Sequence, residues 1–323
     1  MNEINHYLMR LYDGTTAHQE SIDIEKLTEV LGDFPQVEPR EYGFTEELVD
    51  CGLYLRHRVF FSSVEGMKVP MYILTPKTNS SGQEVPAVLA LHGHGYGSRE
   101  MVGLFPNGSN RTFPTIHNDL AVQLVKKGMK VFVPEIIGFG DRKLEEDREK
   151  ENSCYTLATH LLMAGKTLAG LRTYEARGAL DYIKDVDQQD CVGVIGFSGG
   201  GLIATLTSIL DDRIQATVLS GFPSTFKGSI LASEHCIDNY IPGLLNLTEM
   251  PQLIGLIAPK ALFIEAGEDD PVFPSKHTKL AIEKIEAIYQ RKNKEYAFQH
   301  EIFQGGHEVS GDTSLEWLRN HLI

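Results

Sequence analysis

The sequence predicts an α/β fold built on a doubly wound parallel sheet, and three observations predict it. Short apolar or β-branched runs recur at 85–93, 129–135, 191–198, 214–221, 261–267 and 296–303. Most are continuous rather than alternating, as strands covered on both faces must be. Segments with helical spacing lie between them: Ile116, Leu120 and Leu124 ahead of Gly128, and Ala176, Ala179, Leu180 and Ile183. Finally, "VIGFSGGG" at 194–201 sets four glycines around Ser198 where a strand would turn sharply into a helix. Strand and helix in alternation is the pattern of a parallel sheet wound on both sides.

The remaining elements follow in chain order. Residues 1–50 mix polar and apolar types, and "SIDIEKLTEVLG" at 21–32 spaces Ile22, Leu27, Val30 and Leu31 like a short helix, so this part reads as a helical extension. The main domain then spans 51–323. "LRHRVFF" at 55–61 and "VPMYILTP" at 69–76 read as an antiparallel pair ahead of the parallel strands. Two stretches break the alternation. The charge run "DRKLEEDREK" at 141–150 reads as solvated surface, and an insert at about 221–258 is rich in Pro, Gly and aromatics between two core strands, where loops tend to carry function.

Composition narrows the classes. Of 323 residues, 42% are hydrophobic, ample for a sizeable core. Thirty Lys and Arg against 44 Asp and Glu give a net charge of −14, which argues against a phosphate-tracking groove, so no nucleic-acid partner is expected. Cys51, Cys154, Cys191 and Cys236 lie far apart with no CxxC pair, so buried reduced thiols are expected, with neither a disulfide framework nor a zinc knuckle. "MNEINHYLMRLYDG" has no basic region followed by an apolar one, and no run reaches membrane-spanning length. The expectation is a soluble, cytoplasmic protein without a membrane partner; homo-oligomerisation is left open.

"GFSGG" fits G-x-S-x-G with Gly196, Ser198 and Gly200, in the strand-then-helix context that gives the motif meaning. Such a turn lifts the serine hydroxyl above the sheet edge and aims the N–H of Gly199, at a helix start, at the same point. A serine hydroxyl needs a base within hydrogen-bond reach and an acid to orient that base. After the run 261–267 comes "EDDPVFP", and after 296–303 comes "QGGHEVSG", each at the carboxyl end of a strand, where open α/β sheets bind ligands. Asp270 is therefore the candidate acid, with Glu268 and Asp269 as competitors, and His307 the candidate base. A second oxyanion donor is needed opposite Gly199. "HGHGYG" at 92–97 offers the N–H of His94, with Gly95 as fallback. A metal pair at His92 and His94 lacks HExxH or a matching carboxylate spacing, so neither metal nor cofactor is expected.

With these motifs in hand, "LHGHG", "PEIIGFGDR", "GFSGGG", "GEDDPVFP" and "GGH", residues from about 50 to 323 resemble the α/β-hydrolases, and within them the dienelactone hydrolase-like and acetyl xylan esterase-like group. The resemblance implies an eight-stranded, mostly parallel sheet with helices on both faces, a Ser-Asp-His triad and no cofactor. Gly267 to Pro274 matches the group's G-x-x-D-x-x-x-P and sets the acid at Asp270. Dienelactone hydrolases proper carry Cys where this chain has Ser198, which favours the esterase side of the group. The expected function is serine hydrolysis of small-molecule carboxylic esters with short acyl or compact groups. Peptidase or thioesterase chemistry on the same triad, and a non-catalytic binding or sensor role, are the alternatives. His235, Asn239 and Tyr240 in the insert are the candidate substrate contacts, polar groups beside an apolar wall.

Overall fold

A computed structural model describes residues 2–16, 22–35, 40–77 and 85–323. Among these, nine strands make one sheet: β1 (Tyr42–Asp50), β2 (Tyr54–Ser62), β3 (Lys68–Pro76), β4 (Ala87–Leu91), β5 (Lys130–Pro134), β6 (Val192–Phe197), β7 (Ile214–Ser220), β8 (Ala261–Gly267) and β9 (Phe298–Phe303). They stand in the order β1-β2-β3-β5-β4-β6-β7-β8-β9. The six strands from β5 to β9 across the sheet pair in parallel, while β1, β2 and β3 join that block antiparallel.

The apolar runs are continuous because both faces of the parallel block are covered. On β4, Leu89 and Leu91 enter the core on one face and Val88 and Ala90 the core on the other, the alternation a pleated strand imposes. One core takes in Ala176, Ala179, Leu180 and Ile183 of the helix Leu168–Asp187. The other takes in Leu120 and Leu124 of Leu120–Lys126, and Leu315 and Leu318 of Ser314–Asn320.

Several expectations are corrected. The sheet is mostly parallel, as expected, but has nine described strands rather than eight, because residues 42–50, expected within a helical extension, form β1. Helices do occupy Glu3–Thr16 and Ile24–Leu31, and Leu27 and Leu31 are buried. As the sheet's edge, β1 has one neighbour and two register irregularities, at Phe44/Glu46 and Glu46/Val49. A strand so placed has no need of a continuous apolar pattern, which hid it. Ile116 lies outside the helix it was expected to share with Leu120, because Asn118 and Asp119 turn the chain with φ of 51° and 46°. The charge run is not simply solvated: Arg142 pairs with buried Glu175 (2.6 and 2.8 Å), and Asp147 is buried. Among the four free cysteines, Cys154 is buried and Cys191 exposed, against the expectation of four buried thiols.

Strand order sets the site. From β4 the chain moves outward to β5, then returns across β4 to begin β6, so the carboxyl ends of β4 and β6 flank a switch point of the winding. In open α/β sheets ligands bind in the crevice such a switch creates.

Candidate active site

Ser198 stands between β6 and the helix Gly199–Leu210 with φ 53° and ψ −122°, and its amide donates to Ser220 of β7 (2.9 Å). Crowding requires glycine at Gly200 of this turn and at Gly93 of the loop that faces it. A Cβ on Gly200 would lie 2.2 Å from the carbonyl oxygen of Leu91, and one on Gly93 would lie 2.9 Å from Ser198 Cβ. The loop after β4 is thus pressed directly against the serine.

His307, on the loop after β9, turns Nε2 to Ser198 Oγ (2.9 Å) and Nδ1 to Asp270 Oδ2 (2.8 Å). Asp270 is buried, and its other oxygen accepts the amides of Val272 (2.7 Å) and Phe273 (2.9 Å), which hold the carboxylate still. Its two competitors point elsewhere: Glu268 pairs with Lys279 (2.7 Å), and Asp269 accepts Gln304 Nε2 (2.5 Å). The His307 ring lies between Phe197 and Phe273, with centroids 4.9 and 5.8 Å away.

The loop after β4 is fixed by two buried histidines. His92 Nε2 accepts the amide of Ile136 (3.1 Å), and its Nδ1 donates to the Gly93 carbonyl (2.9 Å). Complete burial pushes its pKa down to about 3, against the weaker upward pull of the Gly93 bond. His117 Nε2 accepts the amide of Gly93 (3.1 Å), while its Nδ1 faces Glu100 at 3.2 Å. The His94 ring reaches Gly199: a Cβ there would lie 3.4 Å from His94 Nδ1. The structure therefore brings together Ser198, His307, Asp270, Gly199 and His94.

Tyr240 and Asn239 line a cleft of about 200 Å³ whose other walls, from Phe226 and Ile230 to Leu244 and Leu245, also come from the insert; neither Ser198 nor His307 lines it. The Tyr240 hydroxyl donates to the Ile230 carbonyl (3.0 Å), and Asn239 Nδ2 to Asp238 Oδ1 (2.9 Å). These two bonds tie both side chains to the insert itself. His235 stays close to the site, its ring centroid 5.6 Å from Phe273. Burial lowers its pKa, and the neighbouring His307 and His94 lower it further.

The residue of the insert that faces the loop after β4 is Asp238, 3.3 Å from His94 Nε2 and bound by buried Arg172. Burial opposes a charge on His94, but Asp238 and Cys154 outweigh it and raise the pKa to about 9. Two further carboxylates went unnoticed in the sequence. Glu135, after β5, accepts the Ser98 amide (2.9 Å) and hydroxyl (2.7 Å) and pairs with Arg58 (3.2 Å). Glu265, inside β8, accepts Ser220 Oγ (2.8 Å), the amides of Ser310 (3.0 Å) and Gly311 (2.9 Å), and Ser314 Oγ (2.6 Å). The available signal was an acid within an apolar run, which can only be buried if donors surround it.

Known proteins share this architecture. The chain is 29% identical over 234 residues, 69% of its own length and 72% of the relative's, to the Bacillus subtilis (strain 168) protein YtaP, which carries a hydrolase name. Its fold is similar to that of a Bacteroides fragilis NCTC 9343 structure named for acetyl xylan esterase (TM-score 0.68, 16% identity, 93% of this chain and 81% of that one). It is also similar to the glucuronoyl esterase from Solibacter usitatus (TM-score 0.64, 13% identity, 91% and 90%). Among the described residues, no helix is long and apolar enough to cross a membrane. The family model for dienelactone hydrolases matches residues 108–305, more than half of the chain, which therefore belongs to the dienelactone hydrolase family of carboxylic ester hydrolases.

Proposed function

We propose that this hydrolase cleaves carboxylic esters through an acyl-enzyme on Ser198, with His307 as general base and Asp270 as the acid that orients it. The observation that carries the reading is the continuous hydrogen-bond line from Asp270 through His307 to Ser198, at 2.8 and 2.9 Å. Asp270 at Nδ1 leaves Nε2 to accept the hydroxyl proton as Ser198 Oγ attacks the ester carbonyl, and stabilises the imidazolium that results. The N–H groups of Gly199 and His94 are the proposed donors to the oxyanion. The alcohol leaves with the proton from His307, which then activates water to release the acid.

Compact esters of small molecules or carbohydrates are the proposed substrates, in line with the acetyl xylan and glucuronoyl esterase names of the similar folds. Of the insert residues, His235 is the proposed substrate contact, because it reaches the site through Phe273. The test is fluorophosphonate labelling followed by a panel of acetyl to long-chain esters, thioesters and aminoacyl amides. Labelling confined to Ser198 and turnover greatest on short-chain esters are expected. An unlabelled but folded protein would favour a binding role, and preference for thioesters or amides would move the class.

A further inference from the structure

We propose that His94, Cys154, Cys236 and Asp238 form a zinc site beside the catalytic crevice. One donor atom from each lies within 4.8 Å of the other three. They come from three segments of the chain: the loop after β4, the first turn of the helix Cys154–Met163, and the insert. Two thiols, an imidazole and a carboxylate are donors that zinc takes in tetrahedral array. Bonds of about 2.0–2.3 Å would set those donors roughly 3.3–3.8 Å apart, so the group needs to contract by only about 1 Å.

Two further observations point to a cation. His94 Nε2 is buried without a hydrogen-bond partner, though Asp238 Oδ2 is 3.3 Å away. A buried nitrogen in that state is one that a metal would engage. Arg172, itself buried, donates to Cys154 Sγ (3.1 Å) and to the Asp238 carboxylate, the outer-shell contacts that orient ligands. Two thiolates and a carboxylate carry three negative charges; one divalent ion and the guanidinium cancel them, leaving a centre without net charge. On binding, each thiol gives its proton to solvent.

With four protein donors the centre leaves no open position for a reacting water, which makes it structural. It would tie the loop that carries His94 to the insert, and it does not depend on the assignment of Ser198 as nucleophile.

The test uses the full chain, purified under reducing conditions, with zinc measured by mass spectrometry. About one zinc per chain is expected, and replacement by Co²⁺ should give the thiolate-to-cobalt charge-transfer band and intense visible bands of a tetrahedral centre. Cys154→Ser and Cys236→Ser should each weaken zinc binding by at least about a hundredfold against a chromophoric chelator, while Cys191→Ser binds as the unmodified chain does. Absence of the cobalt band from the folded, reduced chain would overturn the proposal, whether or not Cys154 and Cys236 oxidise to a disulfide. Equal loss of zinc in Cys191→Ser would do the same.

Discussion

The two flanks of Ser198 are each held by a buried glutamate, but not in the same way. On the histidine flank, Glu265 accepts four hydrogen bonds from neutral groups: two serine hydroxyls and the amides of Ser310 and Gly311. On the flank of the loop after β4, Glu135 accepts two bonds from Ser98 and one from the guanidinium of Arg58, which also reaches Asp141 (2.7 Å) and Glu46 (3.2 Å). Burial raises the pKa of both carboxyls, Ser314 countering it chiefly at Glu265 and Ser98 at Glu135. The lesson concerns redundancy. Nothing replaces Glu265 if it goes, since its donors would be left buried and unpaired. The charge network around Arg58 keeps other members.

The largest expected effect lies on the histidine flank. Asp270→Asn should cost kcat on the order of 10⁴-fold, because the amide favours the wrong tautomer of His307; Asp269→Asn should leave ester turnover nearly intact. The reverse ranking in steady-state kinetics would move the acid by one residue. Next comes the direct contest between the glutamates. Glu265→Gln sets an amide N–H against donors and should lower kcat about tenfold or more, at an expected stability cost of about 1–3 kcal/mol. Glu135→Gln should cost clearly less in kcat. Equal losses would end the distinction between the flanks.

Acid should act on the flank of the loop after β4. His92 has a pKa of about 3 in the fold against 6.5 for a free side chain. Between these values the unfolded chain binds a proton that the native one refuses, so stability falls as pH drops from 6.5 towards 3, by up to about 1.4 kcal/mol per unit. Glu100 works in the same direction: burial opposes its charge, yet its contacts, His117 foremost, hold it at about 2. Its contribution is fully present above 4.5 and is lost as pH falls from 4.5 to about 2. Denaturant unfolding at pH 7, 6, 5 and 4 should trace the decline, and His92→Gln should flatten its upper part. An unchanged slope in that variant would assign the effect to other groups.

How much of this was legible in the sequence depends on what each residue answers to. Continuous apolar runs declared β4 to β8 because both faces are buried, and the glycines around Ser198 declared the turn because a side chain at Gly196 or Gly200 would strike backbone. Asp270 and His307 were legible from their places just beyond β8 and β9. β1 was not: an edge strand with irregular register carries no such pattern. Asp238, Arg172 and Cys154 were not either, since only the folded insert brings positions so far apart in the chain together. Tyr240 and Asn239 do line a cleft, but that its other walls come from the insert itself was not legible, because those walls form only when the insert folds.

The backbone of Ser198 has a consequence for the energy of the whole molecule. A non-glycine residue at φ 53°, ψ −122° carries a conformational penalty of about 1–3 kcal/mol that the folded state must absorb. The chain is thus less stable than its packing would permit, by an amount spent on presenting one hydroxyl. Ser198→Ala keeps the Cβ and so keeps the penalty; Ser198→Gly sheds it, less the greater freedom glycine gains when unfolded. Both should be inactive, yet the glycine variant should melt a few degrees above the alanine one. A lower melting temperature for Ser198→Gly would mean that the turn costs the fold nothing.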